Sequence, residues 1–212
     1  MIRQRRHPAA TQGATRLEAF TDGVFAIAAT LLVLDLTTHT FGEVTTDAAL
    51  WAALVGMWPL FATFALSFLL LCLLWMTHVQ QFEHIQRVDS VIVWLNNFRL
   101  LFIVLVPFAT TLTTDYSDFL AGRLAMPLTF FGAILFGALQ GEWARRHRAE
   151  LMPDLTPESA ARAGRAAFSA LILSAAVVVL APFIGSIGFL IFALDPLLTR
   201  VLARRGAVTE HG

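Results

Sequence analysis

Arg16, Phe20, Thr21 and Asp22 form the first cluster in the chain with chemistry to offer. They head the stretch RLEAFTDGVFAIAATLLVLDLTT, which has no charged side chain over positions 23–34 and one hydroxyl there, Thr30. A carboxylate at the mouth of so apolar a run needs partners, because an unpaired charge at membrane depth is expensive. Further polar side chains stand in later apolar segments: Trp75 and His78, then Asn96, Asn97 and Arg99, then Asp195. These types do not make a catalytic set. His78, His84 and Glu83 are too few and too superficial for metal chemistry, and Cys72 is the only cysteine. Walker, GxGxxG, HExxH and GxSxG signatures are absent. The chain reads as a non-enzyme with no metal or other cofactor and nothing that points to nucleic acid. Such residues can hold helices together or help to move an ion.

The elements that must position them are membrane helices. The chain has 212 residues, 57% apolar and 14% charged, with a formal net charge of zero. That is a membrane-protein composition. At ~1.5 Å per residue, positions 17–36 span roughly 30 Å, the hydrocarbon thickness of a bilayer. On a helical wheel of ~100° per residue, Arg16, Gly23, Ile27, Thr30, Leu31, Leu34 and Thr38 share one stripe, and Asp22 points more than a quarter turn away. No small-residue cleavage site follows the N-terminal apolar core, so this helix is expected to be retained.

Six spans are expected: 17–37, 48–76 with a kink at Pro59, 91–112, 119–141, 166–183 and 184–201. The last two are separated only by the APFIGSIG turn and form a hairpin. Every basic residue is an arginine, and all but Arg99 and Arg123 fall on one side of a six-span arrangement. The positive-inside rule then places both termini in the cytoplasm. This divides the chain into an N-terminal arm (1–15), a six-helix transmembrane domain (16–205) and a tail (206–212). In the one sizeable connection, 141–165, Thr156-Pro157-Glu158 reads as a helix start.

With that topology Thr21, Asp22, Trp75, His78, Asn96, Asn97 and Arg99 share one depth. Polar groups at one depth satisfy one another most cheaply. They form either a clamp across the first three helices or part of a permeation path. Arg16 joins the clamp or snorkels to the headgroups. Asp195, before Pro196, reads as a local kink partner, and His39 as interfacial. Trp51, Trp58 and Trp143 read as interface belts. The phenylalanine runs (Phe61, Phe64, Phe68; Phe130, Phe131, Phe136) read as packing or lipid-facing surface.

Over RLEAFTDGVFAIAATLLVLDL, LLWMTHVQQF and WLNNFRLLFIVLVPFATTL the chain resembles the transmembrane protein 175 family, the endosomal and lysosomal potassium channels and their bacterial homologues. The family motif, Arg, three residues, then Phe-Ser-Asp, here reads Arg16, Phe20, Thr21, Asp22; Thr21 replaces serine and keeps the hydroxyl. The resemblance implies the bacterial single-repeat form. That is an all-α integral membrane protein of six transmembrane helices per subunit, a homotetramer with helix 1 lining the pore. It would lie in the bacterial inner (plasma) membrane, with membrane lipid and its own copies as partners. The resemblance further implies a constriction at Ile27, Leu31 and Leu34, and a selectivity layer at Thr30. It also implies a motif network of Arg16, Phe20, Thr21, Asp22, Trp75, His78 and Asn97. The permeant ion would be K+, conducted passively and with modest selectivity, with proton permeation as a further trait. Arg99 is not expected from the family pattern. Nothing resembles the TVGYG filter, so discrimination would rest on Thr30 hydroxyls and on the size and dehydration cost of the apolar constriction. The competing reading is a secondary transporter using Asp22, Asp195 and Arg99 at depth. The lack of two clear halves with interrupted helices speaks against it.

Overall fold

A computed structural model of the chain describes residues 12–38, 43–195 and 198–199. These are helical apart from a short antiparallel ribbon of β1 (Gln12–Gly13) on β2 (Arg87–Val88) and the connecting turns. Five helices are long and apolar enough to cross a membrane: α1 (Thr15–Thr38), α3 (Trp58–Phe82), α4 (Ser90–Asp115), α5 (Leu120–Arg146) and α7 (Pro157–Ile184). The short α2 (Asp47–Gly56) and α6 (Arg148–Leu151) lie in connections.

The expected second span is two helices. The chain breaks at Met57, and Pro59 lies in the first turn of α3 instead of kinking a continuous rod. A proline costs little there, where its missing N–H has no helical acceptor to lose. Thr46 fixes the start of α2, its hydroxyl accepting from the Ala49 N–H at 3.1 Å. Thr156 caps α7 by accepting from the Ser159 N–H at 3.2 Å, but the helix then runs unbroken to Ile184. The expected fifth span and the helix start before it are therefore one element. Beyond it the chain turns at Gly185, whose φ of 58° suits glycine alone. Gly185–Leu194 then winds as a 3-10 helix where an α-helical sixth span was expected. Residues 196–197 and 200–212 lie outside the described residues, as do His39 and most of the N-terminal arm.

α4 is the hub: it packs on α5, α1 and α3, while α5 also packs on α7. Leu32, Leu71, Ile103, Met126 and Val177 bring the five long helices into one buried core. The α4–α5 pair closes over two glycines. A Cβ at Gly122 would overlap the Tyr116 carbonyl, and one at Gly132 the Phe102 ring. Gly122→Ala is therefore expected to cost about 1–3 kcal/mol by overpacking. This is checked as a lower thermal midpoint of the solubilised protein, by about 2–4 °C per kcal/mol for a chain of this size.

A second, smaller core closes the end at which α1 begins. Phe82, Ile85, Val88, Ile92 and Leu151 gather there around Ala14. The Ala14 N–H donates to the Gln86 carbonyl at 3.4 Å, and the Gln86 N–H to the Leu151 carbonyl at 2.9 Å. Asp89 caps α4 by accepting from the Ile92 N–H at 2.8 Å, and also accepts from Trp143 Nε1 at 2.9 Å. Trp143, expected at an interface belt, is thus half-buried and spent on a helix cap, whereas Trp51 and Trp58 are exposed.

Candidate functional site

α1 has two faces. Thr21, Phe25, Ala28 and Leu32 recur every three or four residues and are all buried, on the side that α3 and α4 cover. The opposite arc is open: Phe20 is 57% exposed, Ile27 61%, Leu31 40% and Leu34 51%. Arg16, Gly23 and Thr30 are exposed with them. Among the described residues this arc is left largely uncovered. Thr30 Oγ1 donates to the Ile27 carbonyl at 2.8 Å. Its hydrogen is spent inside the helix, so the oxygen offers lone pairs outward, which suits a cation and not an anion. Thr37, also exposed, repeats the arrangement by donating to the Leu34 carbonyl at 2.8 Å. Sequence reasoning misses Thr37, though its spacing of seven residues from Thr30 is the signal that finds it.

Asp22 sits half-buried at the edge of the open arc and accepts from Trp75 Nε1 of α3 at 2.9 Å. Beside it the buried Thr21 Oγ1 accepts from Asn96 Nδ2 of α4 at 2.8 Å and donates to the Leu17 carbonyl at 2.8 Å. Gln140 of α5 donates to Asn96 Oδ1 at 3.4 Å. Four helices therefore share one polar layer. The family resemblance places Asn97 in this layer, but Asn97 is exposed and Asn96 makes the bond. One residue along a helix turns the side chain by about 100°, enough to take it off the face toward α1. Arg16 and Phe20 stay on the open arc. His78 is in the layer by position and not by bonding. Its buried ring lies 6.0 Å from that of Phe25 and 4.3 Å from that of Phe82 between centroids. Neither ring nitrogen has a hydrogen-bond partner among the described residues.

Arg99 is 2% exposed. Its Nη2 donates to the Leu74 carbonyl at 3.0 Å and to Thr77 Oγ1 at 3.2 Å, and its Nη1 to Gln81 Oε1 at 3.3 Å. No carboxylate pairs with it among the described residues, where the two ion pairs both belong to Glu142. A buried cation without a counter-charge costs several kcal/mol. Asp195 accepts from Ser169 Oγ at 2.6 Å, a local tie to α7. Glu83 and His84 are exposed in the turn after α3. Among the described residues no group of three or more His, Cys, Asp or Glu is placed to hold a metal ion. Phe130 packs edge-on against Phe189, and Phe136 stacks with Phe98 and Phe102.

The family described as endosomal/lysosomal potassium channel TMEM175 matches residues 16–107. That segment holds the open arc, both ties to α1 and Arg99. A protein named as a potassium channel from Streptomyces collinus is 33% identical over 159 residues, covering 73% of this chain and 75% of that one. The crystal structure of a lysosomal potassium-selective channel TMEM175 homolog from Chamaesiphon minutus superposes with a TM-score of 0.66 at 26% identity. It covers 91% of this chain and 97% of that one. The endosomal/lysosomal proton channel TMEM175 of Danio rerio is 36% identical over 114 residues, 51% of this chain but 22% of that protein. These relatives are ion channels and not enzymes. With its several membrane-length helices and this coverage of its relatives, the chain is a multi-pass membrane protein and belongs to the TMEM175 family.

Proposed function

We propose that the chain forms a cation channel that passes K+ in modest preference to Na+, as a homotetramer with α1 of each subunit around a common axis. The open arc of α1 carries this reading: it is apolar, lined with outward hydroxyl lone pairs, and left largely uncovered by the described residues. In the assembly four copies each of Ile27, Leu31 and Leu34 form the constriction, which gates by excluding water. Four Thr30 oxygens replace part of the ion's hydration shell. Thr21, Asp22, Trp75 and Asn96 hold α1 in place. Arg16 and Phe20 stand at the mouth. The arginine distribution supports cytoplasmic termini, a sixth span completing the 16–205 domain, and a bacterial inner membrane as the setting. Lipid covers the outer apolar faces, and no cofactor takes part. Relatives named as potassium and proton channels support K+ as the permeant ion and the proton as a further one.

Purified protein in liposomes tests this. The reversal potential under a K+/Na+ gradient is expected to lie toward the K+ equilibrium potential. A value set jointly by two coupled gradients would identify a transporter, and absence of flux would discard conduction. Thr30→Val keeps the shape of the side chain and removes its oxygen. It is expected to lower the K+/Na+ permeability ratio roughly fivefold, the equivalent of about 1 kcal/mol of lost ligation. Bi-ionic reversal potentials measure the ratio.

A further inference from the structure

Of the four helices that share the polar layer, α1, α3 and α4 form a triangle, and two of its sides are ties to α1. Asn96 of α4 holds Thr21, and Trp75 of α3 holds Asp22. Arg99 makes the third side, between α4 and α3. Its acceptors, the Leu74 carbonyl, Thr77 Oγ1 and Gln81 Oε1, all lie on the turns of α3 from which Trp75 projects. On α4, Arg99 stands about one turn beyond Asn96. Behind it a Cβ at Gly137 of α5 would lie 3.2 Å from Arg99 Cζ and 3.3 Å from Nε, so the α5 backbone leaves the guanidinium one seat. Gln81 donates in turn to the Gly137 carbonyl at 3.4 Å. Packing three helices does not require a charge here. An apolar side chain of similar length fills such a volume with nothing to desolvate. It cannot select one height and rotation of α3 on α4, whereas a planar fork bonded to several acceptors can.

We propose that Arg99 is a positioning residue for conduction. By clamping residues 74–81 of α3 onto α4 it fixes where Trp75 stands, and through Asp22 it fixes which arc of α1 the subunit leaves open. The conduction readout rests on the channel reading above; a second readout does not. Arg99→Met and Arg99→Lys are compared with the parent protein. Both are expected to purify as the same assembly, with the Met variant surviving heat as well as the parent. In both, the Trp75 indole N–H resonance, assigned by its absence in Trp75→Phe, is expected to shift. The K+/Na+ permeability ratio is expected to change by roughly threefold or more, with Lys, which keeps the charge but not the fork, closer to the parent.

Parent values for both the resonance and the ratio overturn the proposal. So does a loss of conduction that only tracks loss of assembly. Should Arg99→Met fail to assemble, Gly137→Ala keeps the arginine and displaces its guanidinium by a few tenths of an ångström. A shifted Trp75 resonance there supports the proposal, and an unshifted one overturns it. If the parent passes no ions, the channel reading fails, and the Trp75 resonance still decides the role of Arg99.

Discussion

Ile27→Ala is expected to raise the single-channel K+ conductance about tenfold, which corresponds to a barrier lower by about 1.4 kcal/mol, and to bring the K+ and Na+ permeabilities closer together. The side chain is the most exposed of the three constriction candidates and lies on the arc that the subunit leaves unpacked. Truncating it therefore removes little from the fold. In the proposed ring of four it would remove apolar surface from the constriction, so that water enters and the ion keeps more of its shell. Leu34→Ala acts in the same direction. Leu31→Ala acts less, because Leu31 lies nearer the edge of the arc and is less exposed. Some selectivity survives in each, since the Thr30 oxygens remain. Planar-bilayer recordings with bi-ionic reversal potentials provide the measurement. Parent-like conductance in Ile27→Ala would remove the apolar gate from this level of α1.

Asn96→Ala and Asn97→Ala are expected to differ sharply, although the two residues are neighbours of the same type. Asn96 is fully buried, donates to Thr21 Oγ1 and accepts from Gln140 Nε2. Its loss leaves a buried Gln140 donor without an acceptor, cuts the α4–α1 tie and opens a small cavity. The expected cost is about 2–3 kcal/mol, read as a drop in the thermal midpoint of the assembly of about 2–4 °C per kcal/mol. Asn97→Ala, at an exposed position, stays within about 0.5 kcal/mol of the parent. Equal effects would mean that the polar layer does not hold α1.

That pair also marks where sequence reasoning stops. The two arcs of α1 are legible because a polar motif and a single hydroxyl break an otherwise apolar helix, and the helical period then assigns every other side chain. α4 offers no such contrast. Both of its faces are apolar, as membrane helices allow, so periodicity does not say whether Asn96 or Asn97 faces α1. The break at Met57 is hidden for a similar reason: hydropathy runs through it without change, and Pro59 is compatible with a kink or with a first turn. The partners of Arg99 include the Leu74 carbonyl, and main-chain acceptors leave no mark in a sequence. Trp143 reads as interfacial by type, and only the fold brings it to Asp89. Asp22 and Trp75 meet where depth alone places them, because charge at depth has few places to go.

The small core around Ala14 gives α1 the mechanics of a post set in a footing. The Leu17 and Glu18 N–H groups donate to the Ala14 carbonyl at 2.9 and 3.0 Å, and Ala14 is itself pinned to the strand-bearing turn before α4. Sliding the post along its length would tear out the ribbon and the footing together. Leaning it from its base disturbs neither. Any widening of the proposed pore is then a splay that grows with height, small at Asp22 and largest from Ile27 through Leu34 to Thr37.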